Sequence, residues 1–237
     1  MTLFDHLVVL FFTLAVPYLS AKSYPQIKDE LEKKNSGFRV QLYRAASIQQ
    51  WVIVTLILGL CSYNERDWSA LGFNPLVDSP AVFVGVVILF AYASFSLTVL
   101  NRAQRLPSTD AWLRKWIKNA PGKEVGPTTE REMQWFTGVS LTAGICEEII
   151  YRGYLLWYFS SYTDVWAALI ITSFLFGLNH SYQGVRGVFI TGVLGFVLGS
   201  IYILTGSLII PILLHAMIDF YSGKMILHVN KHQRTSL

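Results

Sequence analysis

The stretch Pro80-Ala-Val-Phe-Val-Gly-Val-Val-Ile-Leu-Phe-Ala-Tyr-Ala-Ser-Phe-Ser-Leu-Thr-Val-Leu100 contains no Asp, Glu, Lys, Arg or His. About 20 apolar residues in a helix span the hydrocarbon core of a bilayer, so this segment reads as a transmembrane helix. Working outward, similar apolar runs lie at residues 7–19, 45–63, 136–158, 165–179, 188–204 and 208–222. The runs at 7–19, 165–179 and 208–222 are short or flanked by polar residues. The whole chain repeats the pattern: of 237 residues, 53% are hydrophobic and only 14% charged, with a mean hydropathy of +0.43. A soluble domain carries about a quarter charged residues. The expected fold is all-α, a polytopic transmembrane helical bundle of seven or eight helices. Disordered, fibrous and disulfide-stapled classes are excluded, because the two cysteines, Cys61 and Cys146, sit alone in apolar runs.

The basic residues set the orientation. Lys22, Lys28, Lys33, Lys34, Arg39 and Arg44 precede the second run, and Arg102, Arg105, Arg114, Lys115, Lys118, Lys123 and Arg131 precede the fourth. Arg186 and the terminal Lys224, Lys231 and Arg234 fall on the same side if the helices alternate, and Arg66 alone falls opposite. The positive-inside rule then puts the N-terminus outside and the C-terminus in the cytoplasm of a multi-pass cell-membrane protein. No signal peptide is expected, since only Asp5 and His6 precede the first run. Nucleic acid is not an expected partner, because the basic charge is explained by the membrane surface. In the loop from 101 to 134, Trp112, Leu113, Trp116 and Ile117 share a face opposite Arg114, Lys115 and Lys118, as in a short helix lying on an anionic leaflet. Thr129 with Glu132 reads as a capping box opening the next helix. The chain divides into N-terminal helices with a cytoplasmic interfacial loop (1–135), a helical unit rich in buried polar residues (136–222) and a cytoplasmic tail (223–237).

That second unit holds charges where apolar residues are expected: Ala143-Gly-Ile-Cys-Glu-Glu-Ile-Ile-Tyr-Arg-Gly-Tyr154. Each charge at membrane depth costs at least ~2.5–3.5 kcal/mol before partners are found. Glu148 and Arg152 are one turn apart and can pair. Glu147 lies about 100° round the helix and has no local partner. Phe176 and His180 are spaced i, i+4 in the next run, as are His215 and Asp219 in the last. A self-neutralised packing cluster and a functional constellation of Glu, His, His and Asp are both compatible with that spacing.

A carboxylate and an imidazole sharing one water form a general-base pair, and a second imidazole can stabilise a developing oxyanion. The same donors, Glu147, His180 and His215, are also of the types that hold zinc, so the cofactor stays open between none and zinc. Neither HExxH nor GxSxG occurs. Ser207, at a turn before Pro211, is a poor nucleophile candidate. A proton-coupled transporter would use similar residues, but no inverted repeat is visible. Gly195 and Gly199 would let helices approach closely in any of these proteins.

Glu147-Glu148-x-x-x-Arg152, Phe176-x-x-x-His180 and His215-x-x-x-Asp219 resemble, in order and spacing, the three motifs of the CPBP family. This is the CAAX-protease and bacteriocin-processing, or Abi, family of intramembrane endopeptidases. Leu71-Gly-Phe73 and Thr205-Gly-Ser-Leu-Ile-Ile-Pro211 are secondary points of likeness. The resemblance implies a helical bundle with a conical cavity open to the cytosolic side and the bilayer. It implies that Glu147 and His180 activate water, that His215 belongs to the oxyanion pocket, and that Glu148, Arg152 and Phe176 support the site. The family's third motif often ends in Asn. Asp219 stands there in this chain, and it would stay protonated, orient His215 or help hold a metal. The implied substrate is a membrane protein or a leader-bearing peptide in the bilayer, and the compact chain resembles prokaryotic, inner-membrane members. A non-enzymatic immunity or scaffold protein of the same fold is the alternative.

Overall fold

The computed structural model describes residues 1–33 and 37–235, with side chains through Lys231. Lys34 and the side chain of Arg234, counted above for orientation, lie outside the described residues. Helix α1 runs Leu3–Glu32, α2 Phe38–Tyr63 and α3 Pro80–Arg105. The short α4 spans Pro107–Lys118, and α5 spans Glu130–Glu148. A π-helical segment, Ile149–Leu155, continues α5 into α6, Leu156–Ser160. Then follow α7 at Val165–Asn179, α8 at Gly184–Thr205 and α9 at Ile209–Thr235. No strand occurs among the described residues. α1, α2, α3, α8 and α9 are long and apolar enough to cross a membrane. The chain is a multi-pass helical membrane protein.

Chemistry at the ends explains several boundaries. Ser79 Oγ accepts from Val82 N at 3.2 Å and Pro80 opens α3, while Asp164 Oδ1 accepts from Trp166 N and Ala167 N to open α7. The expected box at α5 is only half built. Thr129 Oγ1 accepts from Glu132 N at 3.2 Å, but the Glu132 carboxylate reaches one residue further, to Thr128 N and Oγ1 at 2.7 and 2.8 Å.

α1 is longer than its apolar run, because the polar stretch after residue 19 stays helical to Glu32. Within it, Phe11–Ala15 is π-helical, and Val16 N–H bonds Phe11 O. The next donor in that register is Pro17, which has no N–H. The carbonyl so released, Phe12 O, accepts from Asn179 Nδ2 at 3.3 Å. The N-terminal helix is thereby tied to the residue preceding His180.

α2 and α5 run parallel and touch along their length: Tyr43 meets Phe136 edge to face, and Trp51 Nε1 donates to Thr142 Oγ1 at 3.3 Å. Above these contacts lies the main core, where Val54, Ile57 and Cys61 join Cys146, Ile150, Tyr154 and Phe176. Gly144 lets α9 close on α5. A Cβ there would stand 2.8 Å from Ala216 Cβ and 2.9 Å from Ile212 O. Gly195 and Gly199, expected as a close-approach pair, face Phe176 and Leu169 of α7. The two loop motifs also meet, since Leu208 N donates to Gly72 O at 3.1 Å. Ser207 Oγ donates to Asn74 O at 2.6 Å inside that junction.

The interfacial helix α4 divides its apolar face. Leu113 and Ile117 are buried against Val99, Ala103, Met225 and Ile226, whereas Trp112 and Trp116 stack on each other and point outward. Its docking partner is α9, which extends helically well past residue 222, through most of the expected tail. His228 Nε2 lies 2.9 Å from Asp110 Oδ1, and Arg114 Nε donates to Asp110 Oδ2 at 2.7 Å.

Candidate active site

The polar residues of three apolar runs converge where α5, α7 and α9 pack together. Glu148 sits at the centre. Its Oε1 accepts from Arg152 Nη1 and lies against His215 Nδ1, both at 2.7 Å. The expected i, i+4 pair therefore forms, although the backbone widens into the π-helical segment immediately after Glu148. Arg152 uses its other nitrogen to donate to Gly195 O at 3.0 Å, and its guanidinium lies 4.5 Å above the centre of the Phe176 ring. Phe176 in turn packs its ring against His180, at 4.8 Å, and His215, at 5.8 Å. One aromatic side chain thus supports the arginine and both histidines.

Glu147 points the other way. Its Oε1 accepts a 2.8 Å hydrogen bond from Gln50 Nε2 on α2. Its Oε2 is buried with no hydrogen bond among the described residues. That oxygen faces His215 Nε2 at 3.8 Å and His180 Nε2 at 4.0 Å. His180 Nδ1 lies 2.7 Å from the carbonyl of Phe176. A carbonyl only accepts, so Nδ1 carries the proton and Nε2 is the ring nitrogen turned toward Glu147.

Asp219 Oδ2 lies 3.7 Å from His215 Nε2, in ion-pair range but beyond a hydrogen bond. The bond that orients His215 comes from Glu148. Burial follows a gradient across the cluster. The side chains of Glu148, Arg152 and His215 are 0%, 3% and 4% exposed, whereas Glu147, His180 and Asp219 are 16%, 17% and 34% exposed. The bracing groups are sealed, and the side chains of Glu147, His180 and Asp219 are partly exposed.

Two supporting residues were not anticipated. Gln50 lies in an apolar run with no sequence neighbour to suggest its partner. Its one signal was being an amide at membrane depth, where polar residues need partners. Asn179 donates to Tyr151 Oη at 2.5 Å as well as to Phe12 O, which anchors the turn carrying His180.

Among the described residues no three His, Cys, Asp or Glu side chains gather closely enough to hold a metal ion. His215 Nδ1 bonds Glu148, so Nε2 is the nitrogen that ring turns toward Glu147. Both Nε2 atoms stand near 4 Å from the single free oxygen of Glu147.

Residues 129–221 match the family described as Type II CAAX prenyl endopeptidase Rce1-like. The matched segment opens at the N-cap of α5 and closes within α9, so it contains each of the converging residues except Gln50. No curated protein and no solved structure matches the chain.

Proposed function

From the likeness of residues 129–221 to the Rce1-like CAAX endopeptidases, we propose a glutamate-type intramembrane endopeptidase in which Glu147 and His180 activate water. The observation that carries the reading is the unbonded Glu147 Oε2 facing two imidazole nitrogens at 3.8 and 4.0 Å. A water held between Glu147 Oε2 and His180 Nε2 donates to one and is aligned by the other. As its oxygen attacks the scissile carbonyl carbon, its proton passes to Glu147, and the carbonyl oxygen becomes an oxyanion. His215 stands opposite to receive it. With Nδ1–H given to Glu148, the ring stabilises an oxyanion only through Nε2–H, as the doubly protonated imidazolium. Glu147 and Glu148 flank that ring and offset its charge. Collapse of the tetrahedral intermediate breaks the C–N bond, and Glu147 returns its proton to the departing amine.

Asp219 acts in this scheme as a neutral acid donating to the oxyanion, where an ionised carboxylate would repel it. The substrate is a membrane protein or membrane-bound peptide whose backbone reaches the site from the bilayer. The chain lies in a cell membrane, with its N-terminus outside and its basic loops in the cytoplasm.

The test is cleavage of membrane peptides, a prenylated CAAX peptide among them, by purified protein in lipid nanodiscs, with and without a chelator. Wild type cleaves at least one peptide, and the chelator leaves the rate unchanged. Glu147→Gln lowers turnover by at least ~100-fold, the scale of general-base loss, with helicity and melting temperature retained. Full activity in a folded Glu147→Gln protein removes Glu147 from the mechanism. Loss of wild-type activity to the chelator, regained with zinc, refutes the glutamate-type chemistry.

A further inference from the structure

The matched segment holds the reacting groups, yet the contact that fixes the orientation of Glu147 comes from outside it. Gln50 lies midway along α2, a helix whose neighbouring residues Ile48, Trp51 and Val52 are exposed as lipid-facing surface. An amide in that setting is costly without a partner, and an apolar residue would serve helix packing equally well. Gln50 gives its Nε2–H to Glu147 Oε1 at 2.8 Å, while its own Oε1 is buried with no hydrogen bond among the described residues. The amide is therefore oriented by Glu147 alone. Turning it over would set carbonyl against carboxyl oxygen.

From this geometry we infer that Gln50 is the positioning residue for Glu147. A carboxyl group has two oxygens and rotates about its last bond. By holding Oε1, Gln50 fixes that rotation and leaves Oε2 as the oxygen facing His180 and His215. The flanking contacts keep the donor in register, since Tyr43 against Phe136 and Trp51 on Thr142 lock α2 beside α5 on either side. The inference rests on the peptidase reading for its consequence, but not for the placement itself.

The experiment separates the two. Gln50→Met keeps length and volume and removes the donor, and Gln50→Leu serves as a second variant if the first folds poorly. Infrared difference spectra of wild type against Glu147→Gln, in lipid nanodiscs, identify the carboxyl band of Glu147. In Gln50→Met that band moves while helicity and melting temperature stay at wild-type values. With a cleaved peptide as probe, kcat falls about 10–100-fold, the usual effect of losing a supporting partner, and KM is unchanged. A folded variant whose Glu147 band stays in place overturns the assignment, as does a displaced band with unchanged kcat. A displaced band in a protein whose wild type cleaves nothing supports the placement and removes the peptidase reading instead.

Discussion

Two regions of the molecule bury a carboxylate completely beside an arginine, and they treat it differently. Near the start of α1, Asp5 is 0% exposed and pairs with Arg66, itself 12% exposed. Tyr154 Oη donates to Asp5 Oδ1 at 2.6 Å, and Oδ2 accepts from Thr2 N at 2.7 Å, Thr2 Oγ1 at 3.0 Å and Arg66. Arg66 also stacks 4.5 Å above the Trp157 ring. Both oxygens are satisfied. In the candidate site, by contrast, Glu147 Oε2, Glu148 Oε2 and Gln50 Oε1 are all buried without a hydrogen bond among the described residues. A cluster that only joins helices saturates its acceptors, because each orphan costs roughly 1–3 kcal/mol. A cluster that handles a substrate keeps some open.

The largest effects should come from the sealed part of the site. Arg152→Ala strands Glu148, and Glu148→Ala strands Arg152. Removing one partner of a buried pair costs about 3–5 kcal/mol, so both variants should give low yield and a strongly lowered melting temperature. Wild-type stability in either would mean the pair does not brace the fold. Asp5→Ala is expected to cost less, about 1–3 kcal/mol, since Arg66 keeps a route to water and its stacking on Trp157. The comparison then sharpens: turnover per folded molecule should stay at the wild-type level in Asp5→Ala. A fall beyond a few-fold at full folding would make the N-terminal cluster part of the catalytic apparatus.

Asp219→Asn should have a smaller effect still. Asn presents a donor at the same place, and Glu148 already orients His215, so the change should leave most activity and most stability. A loss as large as that of Glu147→Gln would show that the negative charge of Asp219 is required. The smallest effect belongs to the α4–α9 contact. Burial alone would raise the carboxyl of Asp110, but hydrogen bonds from Arg114 and His228 outweigh it and hold the group below its ordinary value. A depressed carboxyl contributes stability above the unfolded pKa, near 3.9, and loses it as pH falls further. Melting temperature measured downward from about pH 4 should therefore drop slightly more for wild type than for Asp110→Asn. Parallel curves would show that the contact adds nothing to stability.

Much of this was legible in the sequence, for physical reasons that also mark the limit. Apolar runs such as 80–100 announce helices in a bilayer, and i, i+4 spacing placed Arg152 on Glu148 and Phe176 beneath His180. Both signals are local. Gln50 is separated from Glu147 by ninety-seven positions, and no periodicity links them. Leu113 and Ile117 read as lipid-facing beside Trp112 and Trp116, because a helix face does not reveal which half meets protein. The polar end of α1 has no apolar run to announce it as helix, and the contact that holds it is distant in sequence, Ser20 Oγ donating to Asn179 O at 3.3 Å. Asp219 matched its motif position but stands one step short of the hydrogen bond that spacing suggested.

The pairing of Glu148 with Arg152 has a consequence for how the protein is made. Residues one turn apart can meet as soon as their helix exists, before any later segment emerges. During synthesis Glu148 is therefore charge-compensated as soon as its helix forms, whereas His215 arrives more than sixty residues later. The salt bridge escorts two charges through insertion. When α9 follows, its imidazole docks on a carboxylate that has never been alone in lipid, so the final assembly step adds a partner to the pair instead of rescuing a stranded ion.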